Sequence, residues 1–284
     1  VGLTGSEETM LARSVDLFLR FYGHYVGYHP GKWRVFVKLY PFTRPTWKGK
    51  RIVKAGGCFF ECDLQDFVQR EIYYLGLEPY QINYLRKFIQ PKWTVIDVGA
   101  NCGYYSILLA KWVGKSGVVH AFEPSLGNLA TLRRNLQLNP GTNVLVHNLA
   151  LGEAAGFCNV EQPEAENLGT TRICAGSSVE MTTLDSFVHQ NGISSIDFIK
   201  VDIEGYEMRF LSGASETLRK FHPPMLIEIN PDALACFGVT PEDLEDRLNA
   251  LNYNLFDFGW GAIKAYQRPP GRGWYRTVLA LPRP

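Results

Sequence analysis

The sequence predicts a doubly wound α/β fold with a mostly parallel sheet, preceded by an N-terminal helix and hairpin cap. Three observations carry that expectation. First, Thr94-Val95-Ile96-Asp97-Val98-Gly99-Ala100-Asn101-Cys102-Gly103-Tyr104-Tyr105 opens as a β-branched apolar run, turns on two glycines and continues as an apolar helix through Ala110. Strand, glycine turn and helix in that order form the first half of a mononucleotide-binding βαβ unit. Second, Val118 to Glu123 follows at the distance a βα unit requires and reads as the next strand, with an acid at its tip. Third, Ile196 to Ile203 and Met225 to Asn230 are further strand-like runs in which charged residues alternate with apolar ones.

Length and composition bound the rest. The chain has 284 residues, which fits one large α/β domain with elaborations. We divide it into an N-terminal cap over residues 1–65 and a main domain over residues 66–284. Glu7 to Tyr22 has helical spacing, with Leu11, Val15, Phe18, Leu19 and Tyr22 on one side. Trp33 to Tyr40 reads as a strand, and Arg51 to Val53 with Cys58 to Cys62 as a hairpin across Gly56-Gly57. This cap either packs on the core or covers its pocket.

Within the main domain, Asp66 to Gly76 and Tyr80 to Ile89 read as helices, the second ended by Pro91. Ser125 can cap a helix whose apolar stripe is Leu126, Leu129, Leu132 and Leu136. Asn143 to His147 is a third strand. Residues 152–178 mix Gly, Glu, Asn and Ser with short apolar runs, which predicts a hairpin and an irregular, substrate-facing excursion. Val179 to Met181 reads as a short strand, and Thr182 or Thr183 starts the helix Leu184 to Gln190. After Gly205, Met208, Leu211, Ala214 and Leu218 stripe one helix. Thr240-Pro241-Glu242-Asp243 combines a capping Thr, Pro at the first position and acids in the first turn, and Leu244, Leu248 and Leu251 form the buried face beyond it. Tyr253 to Trp260 and Trp274 to Leu281 are two closing strands.

The fourth strand breaks a rule. A central parallel strand is buried on both faces and should be nearly all apolar. Here Ile199, Val201 and Ile203 fill one face, while Lys200, Asp202 and Glu204 share the other by the two-residue period. The fifth strand carries Glu228 and Asn230 in the same way. Buried charges are costly unless paired, so the pattern predicts a Lys200–Glu228 pair inside, with Asp202, Glu204 and Asn230 at the ligand edge. Local rules fail most often at functional sites.

Charge and cysteine content exclude some classes. Lys+Arg number 29 against 28 Asp+Glu, a net charge of +1, which gives no reason to propose a nucleic-acid backbone as partner, since that needs a basic face. The six cysteines are scattered and form no paired C-x-x-C pattern, so they read as reduced core residues. Leu11 to Tyr28 is interrupted by Arg13, Asp16, Arg20 and His24 and cannot span a membrane. With no signal peptide visible, the expected location is cytoplasmic.

The acids point to a ligand. Asp97 at the end of the first strand repels a pyrophosphate and welcomes an ammonium, and Glu123 can accept both hydroxyls of a ribose. The glycine spacing is G-x-x-x-G at Gly99 and Gly103, not the G-x-G-x-x-G of dinucleotide binders. An amine-seeking acid, a glycine turn and a ribose-seeking acid together suggest S-adenosylmethionine. Asn101 caps the helix or reaches the methionine part of that cofactor. Asp202, at the fourth strand's end, is the candidate beside the reactive methyl, and Glu204 and Glu207 are the candidate bases for an acceptor hydroxyl. The plainer role of Glu207 is a charge at a helix N-terminus.

Four elements give the sequence a family likeness. Asp97-Val98-Gly99-Ala100-Asn101-x-Gly103, Phe122-Glu123-Pro124, Leu184-Asp185 and Lys200-Val201-Asp202-Ile203-Glu204-Gly205-Tyr206-Glu207 resemble the FkbM-type S-adenosylmethionine-dependent methyltransferases, in their order and spacing, over roughly Asp66 to Asn230. The resemblance implies a class I Rossmann-like methyltransferase fold with an antiparallel pair at one sheet edge. It also implies that Asn128 and the Asn148-Leu149-Ala150 turn hold ribose and adenine. It favours O-methylation of a small-molecule hydroxyl, on a sugar or polyketide-like metabolite, and leaves a protein or peptide acceptor open. Some O-methyltransferases hold Mg2+ with acids at the ends of these strands, and Asp202, Glu228 and Asn230 are oxygen ligands in that region, but Glu228 is one position too deep and is taken by Lys200, so Mg2+ is not the favoured reading. A nicotinamide-dependent oxidoreductase and a non-catalytic Rossmann-like binding module are the rival readings. The first needs the absent dinucleotide motif, and the second predicts a degraded acidic set.

Overall fold

The computed structural model describes residues 5–26, 29, 31–161, 170–259, 262–271 and 273–284. The cap contains α1 (Gly5–Tyr25), α2 (Lys32–Thr43) and the antiparallel hairpin β1 (Lys50–Ala55) and β2 (Cys58–Asp63). The segment read as a strand from Trp33 to Tyr40 is therefore a helix. Its aromatic and β-branched residues suggest a strand, but Lys32, Phe36, Tyr40 and Thr43 are the buried ones, and their spacing follows a helical face. Packing of Phe36 against Tyr22, Tyr40 and Tyr74 overrides local propensity.

The main domain begins with α3 (Phe67–Tyr74), capped by Asp66, and α4 (Pro79–Phe88). Strand and helix then alternate through β3 (Thr94–Val98), α5 (Tyr104–Val113), β4 (Val118–Phe122), α6 (Leu126–Gln137) and β5 (Val144–His147). A small three-stranded sheet follows, formed by β6 (Ala150–Leu151), β7 (Gly156–Glu161) and β8 (Arg172–Thr182). The hairpin expected within residues 152–178 is β7 and β8, and residues 162–169 lie outside the described residues. Next come α7 (Leu184–Gln190), capped by Thr183, and β9 (Phe198–Val201). The single helix expected after Gly205 is two, α8 (Glu207–Gly213) and α9 (Ser215–Phe221), broken at Ala214. Asp185 explains the break: its carboxylate accepts from the backbone N–H groups of Glu216 and Thr217 at 3.0 and 2.7 Å, so a new helix starts there. The chain ends with β10 (Met225–Ile229), α10 (Pro231–Ala235), α11 (Pro241–Ala250), β11 (Tyr253–Phe258), β12 (Ile263–Ala265) and β13 (Arg276–Pro282). The predicted start of α11 is a full capping box between Thr240 and Asp243. Trp260, at the end of the predicted closing strand, lies outside the described residues.

The large sheet has the order β5-β4-β3-β9-β10-β13-β11-β12, with β5, β4, β3, β9 and β10 parallel and β13 and β11 antiparallel. This is a doubly wound sheet whose strand order reverses between β3 and β9, the place where such sheets bind ligands. Fully buried Val95, Ile96, Ile199, Leu226 and Ile227 form its centre, with separate apolar layers on the two faces. Among the described residues, no helix is long and apolar enough to cross a membrane.

Two asparagines bind the cap hairpin to the main domain. Asn135, 1% exposed, accepts from the Glu61 N–H at 2.8 Å and donates to the Cys102 carbonyl at 2.9 Å. Asn139 accepts from the Phe59 N–H at 2.9 Å and donates to the Phe59 carbonyl at 2.6 Å. Asn135→Ala leaves buried backbone groups without partners, so it should lower unfolding stability by about 1–3 kcal/mol. Urea unfolding checks this, through a lower midpoint at unchanged slope. An unaltered midpoint would mean that the hairpin is held by its apolar face alone.

Candidate active site

A cavity of about 410 Å3 opens at the carboxyl ends of β3, β4, β9 and β10. One side of it is built by the turns after β3 and β4. Gly99 and Gly103 have φ of 80° and 84°, a conformation glycine adopts without strain. Their reasons are packing within the protein. A Cβ on Gly99 would lie 1.9 Å from the Asp202 carbonyl oxygen, and one on Gly103 would lie 3.0 Å from Leu132. The first glycine thus lets the β3 and β9 exits touch, and the second seats α5 against α6.

Glu123 is 3% exposed, and its two carboxylate oxygens accept from the turns after β3 and β4. Oε2 accepts from the Asn101 N–H at 2.7 Å, while Oε1 accepts from the Ser125 N–H at 2.9 Å and from the Asn128 amide at 3.4 Å. Burial pushes its pKa up, and these hydrogen bonds pull against that. An ionised carboxylate has about four acceptor sites, so one remains on Glu123 beyond these three. Asn128, 2% exposed, lines the cavity with an Oδ1 that is fully buried and has no partner. Asn148 donates to the carbonyls of Glu123 and Pro124 at 3.3 and 3.1 Å, so it holds the turn and does not line the cavity.

Lys200 occupies the centre. Its Nζ lies 3.6 Å from Asp97, 3.3 Å from Asp202 and 2.9 Å from the Gly99 carbonyl. Asp97 is completely buried and its other oxygen accepts from Ser106 at 2.5 Å. Burial alone would lower the lysine pKa, but Asp202, Asp97 and Glu78 hold it above the ordinary value. The expected Lys200–Glu228 pair is wrong. Register sets Lys200 beside Asp97 on one side and beside Leu226 on the other, which leaves Glu228 two residues further along β10. Glu228 has a fully buried Oε2 with no partner, and burial among Asp202, Glu204, Glu207 and Glu78 pushes its pKa well above the usual range.

Of the candidate bases, Glu204 lines the cavity at φ 55° and Glu207 does not line it. Glu207, 1% exposed, accepts from the Ile203 and Gly205 N–H groups at 3.1 and 3.3 Å and so braces the turn, with burial lifting its pKa to about 7. Asp97 itself stands behind Gly99 and reaches the cavity only through Lys200. Asp202, Glu204 and Glu228 each offer an oxygen within 4.8 Å of the others. The sequence argument against a metal, that Lys200 claims Glu228, therefore no longer applies.

Several lining residues escaped sequence reasoning. Glu78 accepts from the Tyr105 and Thr277 hydroxyls at 2.6 and 2.5 Å, and Glu71 adds another buried carboxylate. The only sequence signal was Pro79, which marks a helix start and so an N-cap at Glu78. Arg172, Trp274 and Tyr275 complete the far wall. The excursion of residues 152–178 does reach the cavity, through Val160 and Thr170 to Ile173. Of the neighbouring aromatic residues, Phe60, Tyr73 and Tyr74 are core, and Phe59, Tyr80 and Tyr84 also lie outside the lining. Among the described residues, no lining residue precedes Phe67.

Fold and site together define a Rossmann-like methyltransferase architecture: five parallel strands, an antiparallel edge pair, and acids at the ends of the first, second and fourth parallel strands. The model of the methyltransferase FkbM domain matches residues 97–255, and the chain belongs to that family of S-adenosylmethionine-dependent methyltransferases. That membership sets aside the nicotinamide oxidoreductase reading. The hexuronic acid methyltransferase AglP of Haloferax volcanii is 26% identical over 155 residues, 54% of this chain and 60% of that protein, so the match spans well under two thirds of the relative's length. Among solved structures, methyltransferase FkbM from Methylobacillus flagellatus is 21% identical with a TM-score of 0.41, over 76% of this chain and 54% of that one. TYW2 of M. jannaschii, in complex with AdoMet, is 18% identical with a TM-score of 0.41, over 81% and 84%.

The buried acids make a pH prediction. Burial raises the Glu71 pKa to about 8, with Arg70 pulling it down and Glu78 pushing it up. Its unfolded value is about 4.3. A raised carboxyl pKa gives stability that is full below the unfolded pKa and is lost as pH rises toward the folded one. Glu71→Gln should therefore melt increasingly above wild type between about pH 4.3 and pH 8, and show no such pH-dependent gain below that window. Parallel melting curves for the two proteins across that window would place Glu71 in solvent.

Proposed function

We propose that the chain transfers a methyl group from S-adenosylmethionine to a hydroxyl of a small molecule, with a sugar or polyketide-like metabolite as acceptor. The observation that carries this reading is the β4 tip, where Glu123 has acceptor capacity to spare and Asn128 has a buried oxygen with no partner. A ribose hydroxyl and one further donor fit those needs, and the cofactor would supply a sulfonium methyl that leaves with the bonding pair staying on sulfur. The protein's part is alignment and removal of the hydroxyl proton. Asp202 borders the reacting position, with its charge tied to Lys200 at 3.3 Å. Glu204 accepts the proton as the oxygen–methyl bond forms.

The acceptor end narrows the class. Glu71, Glu78, Glu204, Glu228 and Asp232 line it against Lys200 and Arg172, with Trp274 and Tyr275 alongside. Carboxyl groups and aromatic faces suit hydroxyls and sugar rings, and the name of the Haloferax volcanii relative points to a sugar too. So acidic a wall opposes an acceptor carboxylate, and we favour a sugar without one.

A second reading has its own observation, the three converging oxygens of Asp202, Glu204 and Glu228, a set suited to a hard divalent cation. Lys200 beside Asp202 already offsets part of that charge, so we favour transfer without a metal. Turnover unchanged by EDTA agrees, whereas loss restored by Mg2+ makes these three the ligands.

Glu123→Ala should weaken S-adenosylhomocysteine binding in calorimetry by roughly 1.5–3 kcal/mol for each hydroxyl bond lost. Glu204→Gln should leave that affinity nearly unchanged while turnover of a hydroxylated acceptor falls by ~10²-fold or more. Normal turnover in Glu204→Gln removes the base role, and unchanged affinity in Glu123→Ala removes the ribose role.

A further inference from the structure

The cap has a charge distribution unlike the rest of the chain. From Leu17 to Phe60 there are nine Lys and Arg and no Asp or Glu, although the whole chain carries only +1. Lys32 is spent internally, since it is 3% exposed and its Nζ donates to the carbonyls of Gly23 and Val26. Arg34, Lys38, Arg44, Lys48, Arg51 and Lys54 are all exposed. Lys50 is exposed too but faces Glu61 at 3.4 Å.

The cap also leaves large apolar side chains in water. On α1, Leu19 is fully buried, yet Met10, Leu17, Phe21 and Tyr25 are 67%, 63%, 61% and 79% exposed. Their spacing of seven, four and four residues puts them on one helical stripe, away from the buried one. On α2, Trp33 and Val37 are 40% and 51% exposed and lie one turn apart, flanked by Arg34 and Lys38. Both cap helices therefore bury one stripe and expose a second apolar one. Scattered exposed apolar residues need no explanation, but a rimmed concentration marks an interaction surface.

We infer that the cap docks on an anionic lipid bilayer surface. Exposed Trp, Phe, Tyr and Leu beside Lys and Arg are what an interfacial helix requires: the rings and chains enter the headgroup boundary, and the cations meet anionic headgroups. Charge complementarity selects this occupant. A second copy would bring two strongly basic surfaces together, and a nucleic acid backbone would meet the cations but leave the apolar stripes in water. The cavity is lined from Phe67 onward, so docking through the cap leaves the pocket's own residues free. The inference does not rest on which acceptor is methylated.

Sedimentation of the full chain with vesicles tests it, using phosphatidylcholine alone and phosphatidylcholine with one third phosphatidylglycerol. The chain should bind the anionic vesicles, release partly in high salt, and ignore the neutral ones. Each basic residue near the surface contributes about fivefold in partitioning, so Arg34→Gln with Lys38→Gln should weaken binding by roughly 25-fold. Phe21→Ser should weaken it at unchanged salt dependence, which a purely electrostatic contact would not show. Circular dichroism melting confirms that the variants fold. No vesicle binding, equal binding to both vesicles, a stable dimer that excludes lipid, or capture of an RNA oligonucleotide in place of vesicles would each overturn the proposal.

Discussion

One buried ammonium organises the carboxyl edge of the sheet. Lys200 stands where β3 and β9 meet, between a fully buried Asp97 and a half-exposed Asp202, and it also donates to the Gly99 carbonyl. Those contacts tie the glycine turn after β3 to the exit of β9. Removing charge from water costs several kcal/mol per ion, and only close, well-bonded partners repay it. This explains why a central parallel strand carries a lysine at all. It also explains why Gly99 can be nothing larger, since the two exits it allows to touch are the ones the lysine joins.

Around that centre the backbone is held in costly shapes. Glu78, Asn101 and Glu204 have φ of 46°, 50° and 55°, and all three line the cavity. Non-glycine residues in the left-handed region cost on the order of 1–3 kcal/mol each and persist where the surroundings over-determine them. Here the surroundings are identifiable. Glu207 accepts from the turn that carries Glu204, Glu123 accepts from the Asn101 N–H, and Tyr105 and Thr277 donate to Glu78. Acids that would otherwise repel one another are kept close by these bonds, and burial raises the pKa of Glu228 and Glu71.

The sheet was legible because strands buried on both faces leave a β-branched signature that little else imitates. The turn glycines, the strand-tip acids and the caps at Ser125, Thr183 and Thr240 were legible for the same reason, as local chemistry. What failed was tertiary. Alternation placed Lys200 and Glu228 on a common face but could not say which neighbour the register would set opposite, and Asp97 took the place assigned to Glu228. Trp33 to Tyr40 has strand composition and became a helix because its burial is decided by α1 and α3. Glu78 and Thr277 meet across 199 positions of sequence, and no local pattern announces that. The Leu184-Asp185 element was visible as a motif, while its work of starting α9 needed the fold.

The central claim is that Lys200 holds the edge together through Asp97 and Asp202, and chemical denaturation of Lys200→Met measures it directly. The account predicts a loss on the order of 3–5 kcal/mol, because Asp97 is left charged and buried without its cation. Adding Asp97→Asn should then recover part of that loss, as a coupling energy between residues in contact. If Lys200→Met unfolds at the wild-type midpoint, or the two substitutions simply add, the buried pair does not organise this site.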